Sequence, residues 1–368
     1  MAAIDLVFTG DLVLDEPDAD YWLSGIASAT QAADATIGHL EVPHTLRGEE
    51  VAGDVPAPGA DPRHLAALRH AGFDVVTLAG NHMSDCGPIG IADTRAELAR
   101  LNIACCGAAE NLSAARRPAV ILVGDRRIAV LSYNCVGPES GWATAERAGC
   151  AYVRIATGDG QQVAPTANLQ MPDLDSLRSM QQDIAAAAAE YDFIVVSLHK
   201  GIVHVSATLA PYERQVSQAA IEAGAHVVVG HHAHLIRGIE FHQGRPIFHG
   251  LGNGCVVTRA LSPGQDHPAR AAWVERRKKL FGFEPDPAYW LAPFHPDAVN
   301  AMLGRVRWHD NGRIEAGFIP VHVVPPGRPV IARGETAAAI TAYVDRITVD
   351  TGLSPLSLSV RDDMVMTT

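Results

Sequence analysis

Leu78-Ala79-Gly80-Asn81-His82-Met83-Ser84-Asp85-Cys86-Gly87 follows an apolar run, Phe73 to Leu78, and precedes Pro88 and a helical pattern. A buried strand that ends in a polar turn and then a helix is where open α/β sheets place their ligands. Asn81 offers an amide oxygen to a hard cation. Asp85, three residues beyond His82, is placed to hydrogen-bond the imidazole and fix its tautomer. The plainer alternative is a helix start capped by Ser84 or Asp85, with His82 merely polar.

Outward from this turn the same grammar repeats. Ile4 to Phe8 reads as a strand running into Thr9-Gly10-Asp11, and Ala35 to Leu40 as one running into Glu41, with His39 and His44 beside it. A helix is expected over Tyr21 to Ala33, and a Gly/Pro-rich loop over Val51 to Pro62. Phe193 to Leu198 delivers His199-Lys200-Gly201, and His226 to Val229 delivers Gly230-His231-His232-Ala233-His234. Three histidines in four residues after a buried strand suit a metal or anion site better than a solvated loop.

Between these strands, Pro88–Leu101, Asp173–Glu190 and Pro211–Ala223 read as helices, and Asp173 is a plausible cap. Val120–Val123 with Ile128–Leu131, and Arg305–His309 with Ile314–Val323, read as hairpins. Asn134 to Pro172 is long, Gly-rich and weakly patterned, a candidate substrate cover. Strand–helix alternation through residue 260 implies an α/β sandwich. We expect a core over residues 1–260, and a C-terminal helical and hairpin elaboration over 261–368 packed on the same domain.

The chain has 368 residues, 48% of them hydrophobic and 19% charged, which supports a sizeable core. A net charge of −12 disfavours nucleic acid as a partner. Six cysteines form no Cys-x-x-Cys pair and read as reduced thiols of a cytoplasmic protein. No signal peptide and no long apolar span is expected, hence no membrane association. The basic run Arg276 to Lys279 reads as a solvated face near a helix C-terminus, or as a grip for an anionic peptide. Trp142, Trp273, Trp290 and Phe294 could receive an aromatic peptide end, although such residues are more often core.

Thr9-Gly10-Asp11, His39-Leu40-Glu41, Gly80-Asn81-His82 with Asp85, Leu198-His199-Lys200-Gly201 and Gly230-His231-His232-Ala233-His234 resemble, in this order, the motifs of the CapA-like branch of the calcineurin-like metallophosphatase fold. The resemblance implies an α/β sandwich with metal held by Glu41, Asn81, His199, His232 and His234, and His82 as a general acid. Where typical members open with Asp-x-His, Asp11 is followed by Leu12 and Val13, so one ligand is missing and a single divalent ion is expected. Oxygen donors favour Ca²⁺ or Mn²⁺, while the histidines would also accept Zn²⁺ or Fe²⁺.

With this reduced set, the chain looks like the peptide epimerases of lasso-peptide biosynthesis, which invert the C-terminal residue of a precursor peptide. Inversion needs acid/base groups on both faces of Cα. The expected pair is His82, oriented by Asp85, and His295, partnered by Asp11. The rival expectations are a metallophosphoesterase or other hydrolase, and a protein associated with poly-γ-glutamate.

Overall fold

In chain order the strands that build the two main sheets are β1 (Ile4–Leu14), β2 (Ala35–Leu40), β3 (Val75–Thr77), β4 (Ala104–Cys106), β5 (Ala119–Val123), β6 (Arg126–Asn134), β7 (Phe193–Lys200) and β8 (Val227–His232). They continue with β9 (Ile239–His242), β10 (Arg245–Phe248), β11 (Asn253–Val257), β12 (Asn300–Trp308), β13 (Ile314–Val324), β14 (Arg328–Ile331), β15 (Leu358–Arg361) and β16 (Met364–Thr367). This computed structural model describes residues 3–48, 58–262, 264, 268–361 and 364–367. Most of the expected Val51–Pro62 loop, through residue 57, lies outside the described residues.

Among the described residues, one sheet runs β15-β16-β13-β12-β1-β2-β3-β4, with β11 also pairing β1 and β14 pairing β13. The second runs β9-β10-β8-β7-β6-β5. Leu6, Phe8 and Val75 of the first sheet share a buried cluster with Val130, Val195 and Val229 of the second, so the two sheets pack face to face. Period-two alternation turns Val7 and Val76 to the outer face, and the register break after Phe8 brings Leu12 there too, where Leu68, Ile91 and Leu98 cover them. On the far side Met180, Ile184 and Val216, from helices Leu174–Glu190 and Pro211–Glu222, cover Leu131 and Val196. The result is a mixed α/β sandwich of two sheets between helical layers. β12 lies beyond residue 260, yet it pairs directly with β1, Phe8 opposite Gly304.

Several expected elements differ in extent. β1 does not stop at Phe8: it continues through Thr9 and Gly10, and Asp11 rejoins the ladders opposite both His39 and Asn253. The register shifts at Asp11 on both sides, as at a bulge that re-aims one side chain. The helix expected over Tyr21–Ala33 is two short pieces, Ala19–Leu23 and Ala27–Thr30. Gly25 sits in the break, where a Cβ would lie 2.1 Å from the Pro329 carbonyl oxygen. Asp173 does cap Leu174–Glu190, accepting from the Ser176 N–H at 2.9 Å. Among the described residues no cysteine forms a disulfide. No helix among the described residues is long and apolar enough to cross a membrane.

Candidate metal centre and its cavity

The strand ends meet. His199 Nε2 lies 2.6 Å from Asn81 Oδ1 and 3.1 Å from His232 Nδ1. His234 Nε2 is 3.6 Å from Glu41, and its Nδ1 is 3.6 Å from Asp11. The Asp11 carboxylate accepts the His232 N–H at 3.2 and 3.3 Å. Donor atoms of Asp11, Glu41 and His234 cluster closely enough for one ion, and so do those of Asp11, His39 and His199. All five expected metal ligands therefore converge, and Asp11 and His39 join them.

Burial makes the set chemically unsettled. Both Glu41 oxygens, His39 Nε2, His199 Nδ1 and His232 Nε2 are buried without a hydrogen-bond partner. Such orphans are rare in native proteins, and each asks for an explanation. Burial, and then the neighbouring Glu41, push Asp11 well above the usual carboxylate range. Burial first, and then the other imidazoles, hold His39 and His199 well below the usual histidine range. Neutral imidazoles, an amide oxygen and two crowded carboxylates are a donor set for a divalent cation, and the residues present fit one. The backbone is strained in the same place: His232 has φ 88° and His234 φ 55°, left-handed values that non-glycine residues seldom adopt.

The neighbours show how the set is held. Gly80 is required beside His39, since a Cβ there would stand 2.9 Å from His39 Nε2. His39 Nδ1 lies 2.9 Å from the Thr77 hydroxyl. His231, the first of the histidine cluster, is structural: Nδ1 meets Ser197 Oγ at 3.2 Å and Nε2 the Thr9 carbonyl at 3.1 Å, tying the two sheets together. Asp85 accepts from His82 Nδ1 at 2.7 Å. The N-cap position of the following helix, Gly87–Arg100, is Cys86 and not Asp85. Ser84 instead donates to the Gly141 carbonyl at 2.9 Å.

A cavity opens over this floor, with about 930 Å³ of empty space continuous with solvent. Glu41, Asn81, His82, His232 and His234 line its polar side. Trp273, Phe281, Phe283 and Phe294 also line it, Phe294 stacked on the His234 ring with centroids 4.5 Å apart, and Val13 lines it as well. Pro165 and Thr166 bring the long Asn134–Pro172 segment to the rim. Trp142 does not take part, being stacked on Tyr152 at 4.2 Å, and Trp290 is exposed beside Arg259.

The expected pairing of His295 with Asp11 does not form. His295 caps the short helix Pro296–Val299, its Nδ1 accepting the Asp297 N–H at 3.1 Å. It lines a separate, smaller cavity with Asn253, Asp286 and Tyr289, and Phe294 contributes to both. The local capping bond fixes the ring there, while Asp11 is committed to the donor set. The imidazole that does line the main cavity is His204, which sequence reasoning missed. It has φ 58°, and its ring lies 5.6 Å from His234 and 5.4 Å from Phe294. Buried Arg237 fixes its loop by donating to the carbonyls of Ile202 and Thr208.

The family model described as bacterial capsule synthesis protein PGA_cap matches residues 5–256. A protein of Mycobacterium tuberculosis called "Probable polyglutamine synthesis accessory protein" is 33% identical over 230 residues, 60% of this chain and 55% of its own length. The "PGA biosynthesis protein CapA" of Bacillus subtilis is 26% identical over 256 residues, 67% of this chain and 61% of its own length. The chain thus spans little more than half the length of these curated relatives. Among solved structures, a hypothetical protein from Thermus thermophilus covers 88% of this chain at TM-score 0.48 and 15% identity. The calcineurin-like phosphoesterase YfkN from Bacillus subtilis covers 95% at TM-score 0.37 and 10% identity. Overlaps this loose carry no argument; the family match, which takes in every strand that supplies the donor set, does. The chain belongs to the bacterial capsule synthesis protein PGA_cap family.

Proposed function

We propose that this chain is a metal-dependent enzyme that moves protons at the C-terminal residue of a peptide, inverting its Cα as the epimerases of lasso-peptide biosynthesis do. The observation that carries this reading is one cavity that joins a cation donor set, the His82–Asp85 pair and an aromatic wall. An apolar lining of this kind suits an aromatic or aliphatic residue, and a net charge of −12 disfavours a polyanion.

Glu41, Asn81, His199, His232 and His234, with Asp11, would hold a divalent ion. When bound, that ion stabilises negative charge developing on a substrate carboxyl or carbonyl oxygen. Asp85 accepts from His82 Nδ1, so proton exchange with a bound molecule falls to Nε2. His204, not His295, is the imidazole besides His82 that lines the cavity outside the donor set. Each such general acid or base contributes roughly 10²–10⁴-fold, so inversion needs both.

Incubation of short peptides with a free C-terminal aromatic residue in D₂O, with Mn²⁺, Ca²⁺, Mg²⁺, Zn²⁺ or Fe²⁺, should place one deuterium at that Cα without cleavage. His82→Ala should abolish it. Absence of deuterium with every metal removes this reading.

A second reading is a metal-dependent hydrolase acting on a glutamyl polymer or a phosphoester. It is supported by two donor groups that share Asp11, an arrangement suited to two ions clamping a displacement. The names of the relatives, which refer to polyglutamine and PGA synthesis, support it better than they support inversion. Metal-dependent cleavage of oligo-γ-glutamate or an aryl phosphate, lost in Asn81→Ala, would establish it over the first.

A further inference from the structure

Of the run Arg276-Arg277-Lys278-Lys279, three side chains are exposed and one is not: Arg277 is 6% exposed. It lies on the helix Pro268–Phe281 four residues after Trp273 and four before Phe281. Residues at that spacing share a helix face, and all three line the main cavity. Arg277 Nη1 donates to the carbonyls of Leu261 at 3.1 Å and Pro293 at 3.4 Å. Its Nε is buried with no partner. Among the described residues no carboxylate pairs with it, although exposed Lys278 beside it has Glu284 at 3.0 Å.

A buried guanidinium held only by neutral carbonyls is a cation lacking its counter-charge. Its planar fork matches a carboxylate, which it can bind through two parallel hydrogen bonds. Trp273, Phe281, Phe283 and Phe294 line the same cavity, and so do Glu41, His232 and His234 of the donor set, where the Glu41 carboxylate repels an anion. An anionic group entering here is drawn to the Arg277 side, and an apolar side chain attached to it meets Trp273, Phe283 and Phe294.

We infer that Arg277 is the specificity-determining residue of this cavity, binding the terminal carboxylate of a ligand whose aromatic or aliphatic side chain packs on the surrounding rings. This rests on the reading of the cavity as a site for peptide ends and names what selects them. It assigns no proton transfer to Arg277.

The test is calorimetric titration of the whole chain with an acetylated tripeptide ending in Trp, its C-terminal amide and phenyl phosphate, with and without Mn²⁺. A charged hydrogen-bond pair predicts that the acid binds about ten- to a hundredfold tighter than the amide. The preference should persist without Mn²⁺, fall to near unity in Arg277→Gln and return in part in Arg277→Lys. Unchanged Mn²⁺ affinity and amide binding in Arg277→Gln would show the cavity intact. Equal binding or no binding of acid and amide, a preference that exists only with Mn²⁺, joint loss of both ligands in the variant, or tighter binding of phenyl phosphate overturns the inference. If deuterium fails to enter while the carboxylate preference stands, the inversion reading alone falls. If the preference fails while deuterium still enters, Arg277 alone is misassigned.

Discussion

His199 and Lys200 are neighbours on one strand, both fully buried, and they belong to opposite kinds of polar cluster. Lys200 Nζ donates to Glu213 at 3.0 Å and to the His249 carbonyl at 3.4 Å. His249 Nε2 meets Glu240 at 2.9 Å, and Glu213 also accepts the Ala210 N–H at 2.7 Å. Burial would raise Glu213, but the Lys200 and Arg237 charges hold it below the usual carboxylate range. On the His199 side the donors face one another with their nitrogens and oxygens unspent. One network is closed; the other has the donor types that fit a divalent cation. The difference separates scaffold from site without reference to motif.

Breaking the closed network should have the largest effect. Glu213→Leu leaves Lys200 charged and unpaired in the interior and should cost about 3–5 kcal/mol, read from urea denaturation. A loss under about 1 kcal/mol would show that water reaches Lys200 after all.

The open network should respond to metal instead. A divalent ion at about a hundredfold its Kd should add about 2.7 kcal/mol of stability, seen as a rise in melting temperature. In His232→Ala that rise should vanish. No response to any of the five ions would remove the donor set as a metal site.

Acid should find the buried imidazoles. Burial lowers both His44 and His249, from 6.5 to about 4; His64 adds to it and Asp61 opposes it around the first, while Lys200 adds to it and Glu240 and Glu213 oppose it around the second. Between those values the unfolded chain binds protons that the native chain excludes, so stability falls as pH drops from about 6.5 toward 4. The loss should be roughly 2 kcal/mol per imidazole by about pH 5. Asp15, raised to about 6 mainly by burial, works in the other direction and offsets part of it. Melting of the metal-free protein at several pH values checks the net sign.

The smallest effect is also the most diagnostic. In metal-free protein, Glu41→Gln relieves the crowding of Asp11 and should stabilise the fold by about 1 kcal/mol while abolishing the metal response. Destabilisation would mean that Glu41 has a partner and that the network is closed there too.

Much of this centre was legible because its donors sit in or just past apolar strands, and parallel strands of one sheet end on one side. That reasoning placed Asp11, Glu41, Asn81, His82, His199, His231, His232 and His234 at strand ends, and the family resemblance singled out Glu41, Asn81, His199, His232 and His234 among them as expected ligands. It stumbled where position depends on a loop. His295, between Pro293 and Pro296, looked available, but its own capping bond to Asp297 decides where the ring points. His204 carries no local signal, since it is placed by Arg237, more than thirty residues away in sequence. The run Arg276 to Lys279 reads as a solvated face or as a grip for an anionic peptide, and Trp273 and Phe281, four residues to either side, single out Arg277 as the inward member.

By itself the sequence determined the α/β sandwich and placed most of the candidate donors at polar strand ends, because strand periodicity is a local property. The tertiary structure alone decided that Asp11 belongs to the donor set, that His231 binds the sheets together, and that His204 and Arg277 wall the cavity in place of His295. Those outcomes depend on which buried groups find partners across the fold, and hydrogen-bond satisfaction between distant segments is not written in any one stretch of chain.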